Sequence, residues 1–181
     1  AYNEGVLIDG TLQGSPGTST ASLFSGTFSY PTQPGGFPTR FRVTPDPLYA
    51  LPIGTQPTTA LIAHTFTMAG TGFGGDTSTV TVSADGAITG YTSNGCEIAG
   101  TLLGQLGSGL NLYRVEALGY LKRPNAPVAC DLAGGPPQSG SASAQFDVNG
   151  QVVGLRILAA GLSVGGERSH TVFVGTRQSV R

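Results

Sequence analysis

Ala142-Ser143-Ala144-Gln145-Phe146-Asp147-Val148-Asn149-Gly150-Gln151-Val152-Val153-Gly154-Leu155-Arg156-Ile157-Leu158-Ala159 is the stretch that decides the fold. Ala142, Ala144, Phe146 and Val148 recur at every second residue up to Asn149-Gly150. Val153, Leu155, Ile157 and Ala159 recur at every second residue away from it. Successive side chains of a strand point to opposite faces, so a period of two gives each arm one apolar face. Asn-Gly between two such arms is a strong short-range hairpin signal, because both central residues of a type I′ turn need positive φ. Val80 and Val82, then Asp85-Gly86, then Ile88 repeat the construction. Asp85-Gly86 and Asn149-Gly150 are therefore expected as hairpin tips.

The same alternation continues on both sides of these hairpins. Phe24, Gly26, Phe28 and Tyr30 alternate before Pro31 and Pro34-Gly35-Gly36, and Thr39, Phe41 and Val43 line a further strand. Residues 45–57 read as a long loop opened by Pro45-Asp46-Pro47, after which Ile62, His64, Phe66 and Met68 alternate. Between the hairpins lie faces at Cys96, Ile98 and Leu102 and at Tyr113, Val115, Ala117 and Leu121, and a last strand covers Thr171 to Val174. No segment keeps a 3.6-residue apolar period for three turns. Nine or ten short strands with tight turns imply one all-β domain over residues 1–181. An antiparallel up-and-down β-barrel is favoured over a β-sandwich, because successive hairpins make neighbours in sequence neighbours in space and closure removes exposed edges. Gly90, Gly100, Gly119 and Gly154 fall inside strands, where a small barrel bends.

Composition narrows the function classes. Only 10% of residues are charged, the formal net charge is −1 and there is no basic block. Nucleic-acid binding is therefore not expected, since phosphate contacts need clustered Lys and Arg. Apolar stretches are short and interrupted, so no transmembrane helix is expected. The chain starts at Ala1 without an apolar targeting segment, which reads as a mature chain after removal of a signal peptide. Cys96 and Cys130 are the only cysteines. An even count in an exported chain favours a bridge, with two buried free thiols as the other reading. A bridge would close a loop worth about 3–4 kcal/mol in the chain-entropy treatment.

Val80-Thr81-Val82-Ser83-Ala84-Asp85-Gly86-Ala87-Ile88-Thr89-Gly90, Ser93-Asn94-Gly95-Cys96-Glu97-Ile98-Ala99-Gly100, Asn111-Leu112-Tyr113-Arg114-Val115 and Cys130 form a connected pattern. It resembles a loose group of small Gly/Thr-rich secreted proteins and lipoproteins of proteobacteria, over roughly residues 77–175. In that group a D/S-G-x-[IL]-x-G hairpin precedes an [SN]-G-C segment, an N-x-Y-x-V strand and a second Cys. The resemblance implies a bacterial exported β protein with Cys96 paired to Cys130. The group's N-terminal lipidation cysteine has no counterpart here, so an anchored form is not implied. No catalytic residue comes with the resemblance.

Candidate chemistry is sparse. His64 and His170 have no Cys, Asp, Glu or His at an i+2 or i+4 spacing, as a metal site of three or four ligands would lead one to expect. Gly161-Leu162-Ser163-Val164-Gly165 matches the string of a serine nucleophile elbow, but Gly165-Gly166 is a poor start for the helix that motif needs. Asp9, Glu97, Glu116, Asp131 and Asp147 could supply a carboxylate pair, although spacing singles out none. Gly70-Thr71-Gly72-Phe73-Gly74-Gly75 lacks the Lys-Ser/Thr ending of a phosphate loop. No catalytic residue, metal or cofactor is expected.

Two functions of different classes fit. The first is a non-catalytic structural or adhesion-type protein of the bacterial surface or extracellular space, a subunit of an assembly with copies of itself or another surface protein. The second is a periplasmic or secreted barrel holding a small apolar ligand, which would need an internal cavity of a few hundred Å³. Within the first, Val6, Ile8 and Leu12 on the segment from Ala1 to Leu12 are candidates for a donor strand, since an extended segment can add to a neighbour's sheet edge. The same segment can equally pair inside its own domain. Titration of the denatured, unreduced protein with a thiol reagent is expected to find no free thiol, whereas two would end the bridged reading.

Overall fold

The structure is a computed structural model that describes residues 11–19, 22–29, 39–43, 50–70, 77–93, 95–105, 110–126, 130, 132–166 and 168–179. The chain divides into two units, Ala1–Pro47 and Leu48–Arg181. In the first unit β1 (Thr11–Ser19), β2 (Ser22–Ser29) and β3 (Thr39–Val43) form an antiparallel sheet in that order. Ser15-Pro16-Gly17-Thr18 has the composition of a turn, yet β1 runs through it, with a register shift between Pro16 and Ser19. β1 has one neighbour in the sheet, and an edge strand tolerates a residue without an N–H.

In the second unit eight strands follow one another around a closed barrel. They are β4 (Thr65–Gly70), β5 (Thr77–Val82), β6 (Ala87–Thr92), β7 (Cys96–Gly104), β8 (Tyr113–Lys122), β9 (Gln138–Phe146), β10 (Val152–Leu162) and β11 (Arg168–Arg177). Each is antiparallel to the next, and β11 returns to β4 with Val174 opposite Ala69. The up-and-down barrel is thus the architecture of residues 48–181, and the sandwich is excluded. Phe66, Met68, Val80, Ile98, Leu102, Tyr113, Leu118, Ile157 and Phe173 are among the buried residues of its one core cluster. Eight strands enclose a lumen just wide enough for side chains to fill, and these do so.

Two bulges set which residues face inward. β8 shifts register between Val115 and Leu118, where Ala117 has φ 51°. Tyr113 and Val115 are buried before the bulge, Leu118 and Tyr120 after it, and Leu121 is left 56% exposed. β10 shifts between Val152 and Gly154, so Val152 and Leu155 are buried while Val153 faces solvent. Strict alternation puts Ala117, Leu121 and Val153 inside; one extra residue in each strand reverses them. The bend expected at Gly119 falls at Ala117 instead, and a Cβ on Gly119 would meet nothing closer than the Ala117 carbonyl oxygen at 3.9 Å.

Asp85 and Gly86 lie in the β5–β6 turn, Asn149 and Gly150 in the β9–β10 turn. Neither is the two-residue type I′ turn. Asp147 N–H donates to the Gln151 carbonyl (2.9 Å) and Gly150 N–H to the Asp147 carbonyl (3.0 Å), with Ser83, Ala87 and Gly86 repeating the pattern. Gly150 has φ 75° and Gly86 φ 91°, while neither Asp85 nor Asn149 has positive φ. These are three-residue loops, a turn followed by one glycine in the left-handed region. Asp147 explains the choice: its carboxylate Oδ1 accepts from Asn149 N–H (2.9 Å) and Gln151 N–H (2.8 Å), which holds Asn149 in an ordinary turn conformation. The Gly150→Val variant should lower the unfolding free energy by about 1 kcal/mol or more through the positive-φ penalty. It would also press on Pro52, whose Cβ lies 3.2 Å from where a Cβ at this position would stand. Urea denaturation checks this; an unchanged midpoint would count against the turn geometry.

Candidate functional site

The two ends of the barrel are closed by different means. At the end carrying the β5–β6 and β9–β10 turns, the segment before β4 crosses the opening. Its 3₁₀ turn Thr59–Ile62 packs against β7 and β10, and Ile62 is fully buried. The Thr59 hydroxyl donates to the Ala84 carbonyl at 2.7 Å, tying the plug to the β5–β6 turn. Before the 3₁₀ turn, Pro52 opens a tighter turn: its carbonyl accepts from the Thr55 N–H at 3.0 Å, and Gly54 has φ 79°.

At the opposite end Cys130, Leu132 and Ala133, from the loop between β8 and β9, lie against the core of the lumen. Cys96 at the start of β7 is bridged to Cys130 in this loop, with Cα atoms 4.8 Å apart. Leu132 and Ala133 pack on the core, and a Cβ on Gly135 would touch the β10–β11 turn at the Leu162 carbonyl (3.5 Å) and Val164 nitrogen (3.7 Å). Cys130 is itself buried with the core residues, so the described part of this segment covers the end of the lumen. The disulfide therefore fastens the cover.

Beneath the cover the lumen turns polar. The Tyr120 hydroxyl on β8 and the Thr171 hydroxyl on β11 are 2.6 Å apart. Gln138 Nε2 on β9 donates to the Ser169 hydroxyl at 3.1 Å, while its buried Oε1 has no partner among the described residues. Thr92 accepts from the Cys96 N–H at 3.0 Å. Lower in the lumen the Tyr113 hydroxyl is buried and likewise has no partner among the described residues. Burial pushes its pKa up to about 12, and burial also raises that of Tyr120, partly offset by the bond to Thr171. Both phenols stay neutral at physiological pH. This layer has hydrogen-bonding capacity but no buried charge, which suits positioning rather than proton transfer.

The residues singled out from sequence do not gather into a reactive centre. His64 lies just before β4 beside Arg177, and His170 near the other end of β11, opposite Ala160. Desolvation, then repulsion from Arg177, lowers the His64 pKa, and its ring meets Phe66 edge-on at 6.5 Å between centroids. Ser163 sits at the β10–β11 hairpin, accepting from the Gly166 N–H at 3.0 Å through its carbonyl, with a strand rather than a helix after it. Glu116 pairs with Arg114 at 2.7 Å on the solvent side, and Glu97 is exposed on β7. Asp147 organises its turn. Among the described residues no three of His, Cys, Asp and Glu stand where they could hold a metal ion. Leu12 lies in β1 opposite Phe28, while Val6, Ile8, Asp9, Asp131 and most of the Gly70–Gly75 run lie outside the described residues. The sequence reading did not single out Tyr120, Gln138, Thr171 or Arg177; only the parity set by the β8 bulge brings Tyr120 inward.

No protein-family model, curated protein or solved structure matches the chain. The site is thus read from its own geometry.

Tyr120 and Tyr113 separate satisfied from orphaned burial. Tyr120→Phe removes the bond to Thr171 and leaves that hydroxyl buried, and should cost about 1 kcal/mol or more. Tyr113→Phe removes a hydroxyl without a partner and should leave the urea midpoint unchanged or raise it. The reverse order of midpoints would overturn this assignment.

Proposed function

We propose that the chain is a non-catalytic structural or adhesion-type module of the bacterial surface or extracellular space, held in an assembly with copies of itself. The observation that carries this reading is the filled lumen, closed at one end by a packed plug and at the other by a disulfide-fastened cover. A barrel that carries a small apolar ligand needs empty apolar volume where Phe66, Met68, Leu102 and Phe173 stand. The bridge fits an oxidising compartment and lends the module durability there.

The outer wall favours association. Leu158 on β10 stands opposite Val172 on β11, with Val174 and Leu162 on the same wall, and Leu158, Leu162 and Val174 are 42–48% exposed. Beside them β9 presents Ser139, Ser141 and Ser143, so the apolar strip is bordered by small uncharged side chains. A second copy suits this wall, because the exposed Leu158, Leu162 and Val174 can meet their own symmetry mates, with Arg156, exposed on the same face between Ser143 and Val174, as a charge within the strip. Sedimentation velocity of the full chain over a wide concentration range should show concentration-dependent assembly. Leu158→Lys should abolish it with the unfolding midpoint unchanged. A chain that stays monomeric throughout, or a monomer that takes up an apolar fluorescent probe saturably at one per chain, overturns the reading.

A further inference from the structure

The plugged end of the barrel carries a feature that neither packing nor assembly uses. A depression of about 460 Å³ opens there, lined in part by Asp147, Val152, Val153, Arg177 and Gln178. That volume lies in the range of small-molecule sites. Arg177 closes β11, and its Nη1 donates to the Val152 carbonyl in a long bond of 3.4 Å. No carboxylate among the described residues pairs with it. A guanidinium presents five N–H donors in a planar fork that matches a carboxylate, and Arg177, which lines the depression, has one such donor on the Val152 carbonyl and no carboxylate partner among the described residues.

The rest of the lining narrows the ligand. Asp147 shares it, with Oδ1 held by two backbone N–H groups of its own turn and no ion pair to Arg177. Its negative charge disfavours phosphate or any other multiply charged anion. The solvent-facing Val153 offers apolar surface, Val152 contributes the carbonyl that Arg177 meets, and Gln178 is held in place by donating from Nε2 to the Thr67 hydroxyl at 2.8 Å. We propose that this depression binds a small monocarboxylate, its carboxylate taken by Arg177 and its short apolar body lying on Val153. This site does not depend on the module's assembly.

His64 supplies a built-in reporter. The charged groups that bear on it are Arg177, whose repulsion lowers its pKa, and any ligand that neutralises Arg177. A bound carboxylate removes that repulsion, so the His64 pKa rises on binding, and by reciprocity the carboxylate binds more tightly once His64 is protonated. The test is an NMR titration of the His64 imidazole in the full chain with sodium propionate at constant ionic strength. Propionamide, its neutral isostere, and sodium phosphate serve as comparisons. The expected result is saturable propionate binding with an upward shift of the His64 midpoint. Propionamide and phosphate should bind at least about tenfold more weakly, and Arg177→Gln should lose about tenfold in propionate affinity. Arg177→Lys, which keeps the charge but not the fork, should fall between. No saturable response in the wild type, binding that leaves the His64 midpoint in place, or equal binding of propionamide overturns the proposal. So does unchanged affinity in a folded Arg177→Gln; should that variant not fold, the wild-type shift and the isostere comparison decide alone.

Discussion

The ladder of backbone hydrogen bonds must meet itself, and in residues 48–181 it does so where β11 pairs with β4. Closure of eight strands forces tilt, bending and a narrow lumen, and these dictate the rest of the unit. Bending brings neighbouring backbones so close that a Cβ on Gly140 would overlap the Leu158 carbonyl oxygen, which is why a side chain is missing there. Narrowness limits the lumen to side chains, and the chain fills it with residues of graded size. Phe66, Tyr113 and Phe173 are set against Ala142, Ala144 and Ala159. A closed ring has no free edge strand, so a solitary barrel need not be blunted by charge against edge-to-edge pairing. Its 10% charged residues are tolerable for that reason.

The fold was legible because a closed up-and-down barrel uses only local instructions. Each hairpin is written in an alternating arm, a turn carrying glycine and another alternating arm, and the partner of every strand but the last is its neighbour in sequence. What alternation could not convey was the extra residue. Val152-Val153 reads equally well with either valine inside, and Ala117 carries no mark of the positive φ that makes it the bulge. The bulges depend on registers with β9 that are set only when the ring closes. Turn type was misread for a related reason: Asp-Gly and Asn-Gly serve two-residue and three-residue loops alike, and the choice lies with the side chain at Asp147 or with the Ser83 and Ala87 backbone. In residues 1–47 Pro16 and Gly17 look like a break, and only the edge position of β1 permits them in a strand.

The candidate sites were far less legible than the fold. The cysteines stood out because there are two of them, and their role as a fastener for the cover follows once Leu132 and Ala133 are seen on the core. Tyr120, Thr171 and Gln138 are distributed over 52 residues of sequence, and nothing local distinguishes them from other tyrosines, threonines and glutamines. Their meeting is a product of strand order, since β8, β9 and β11 bring them to one level of the lumen. Arg177 was hidden in the same way. It reads as a terminal charge at the end of a strand, and becomes a site only because β10 begins beside it with Val152 and Val153.

The means of closing each end divides the barrel's labour. The cover over the polar layer is held covalently, so opening it requires breaking a bond or unfolding the strands that carry Cys96 and its neighbours. The plug is held by the packing of Ile62 and by a few hydrogen bonds such as that of Thr59, interactions that give way locally at far lower cost than the whole fold. Polar groups under a fastened cover serve order: they fix how β8, β9 and β11 meet, since a displaced Tyr120 would leave Thr171 unpaired. The depression with Arg177 and Asp147 lies instead at the end without a cross-link, open to solvent. Under the proposed carboxylate site, exchange with small solutes belongs to the plugged end, and covalent closure to the bridged one.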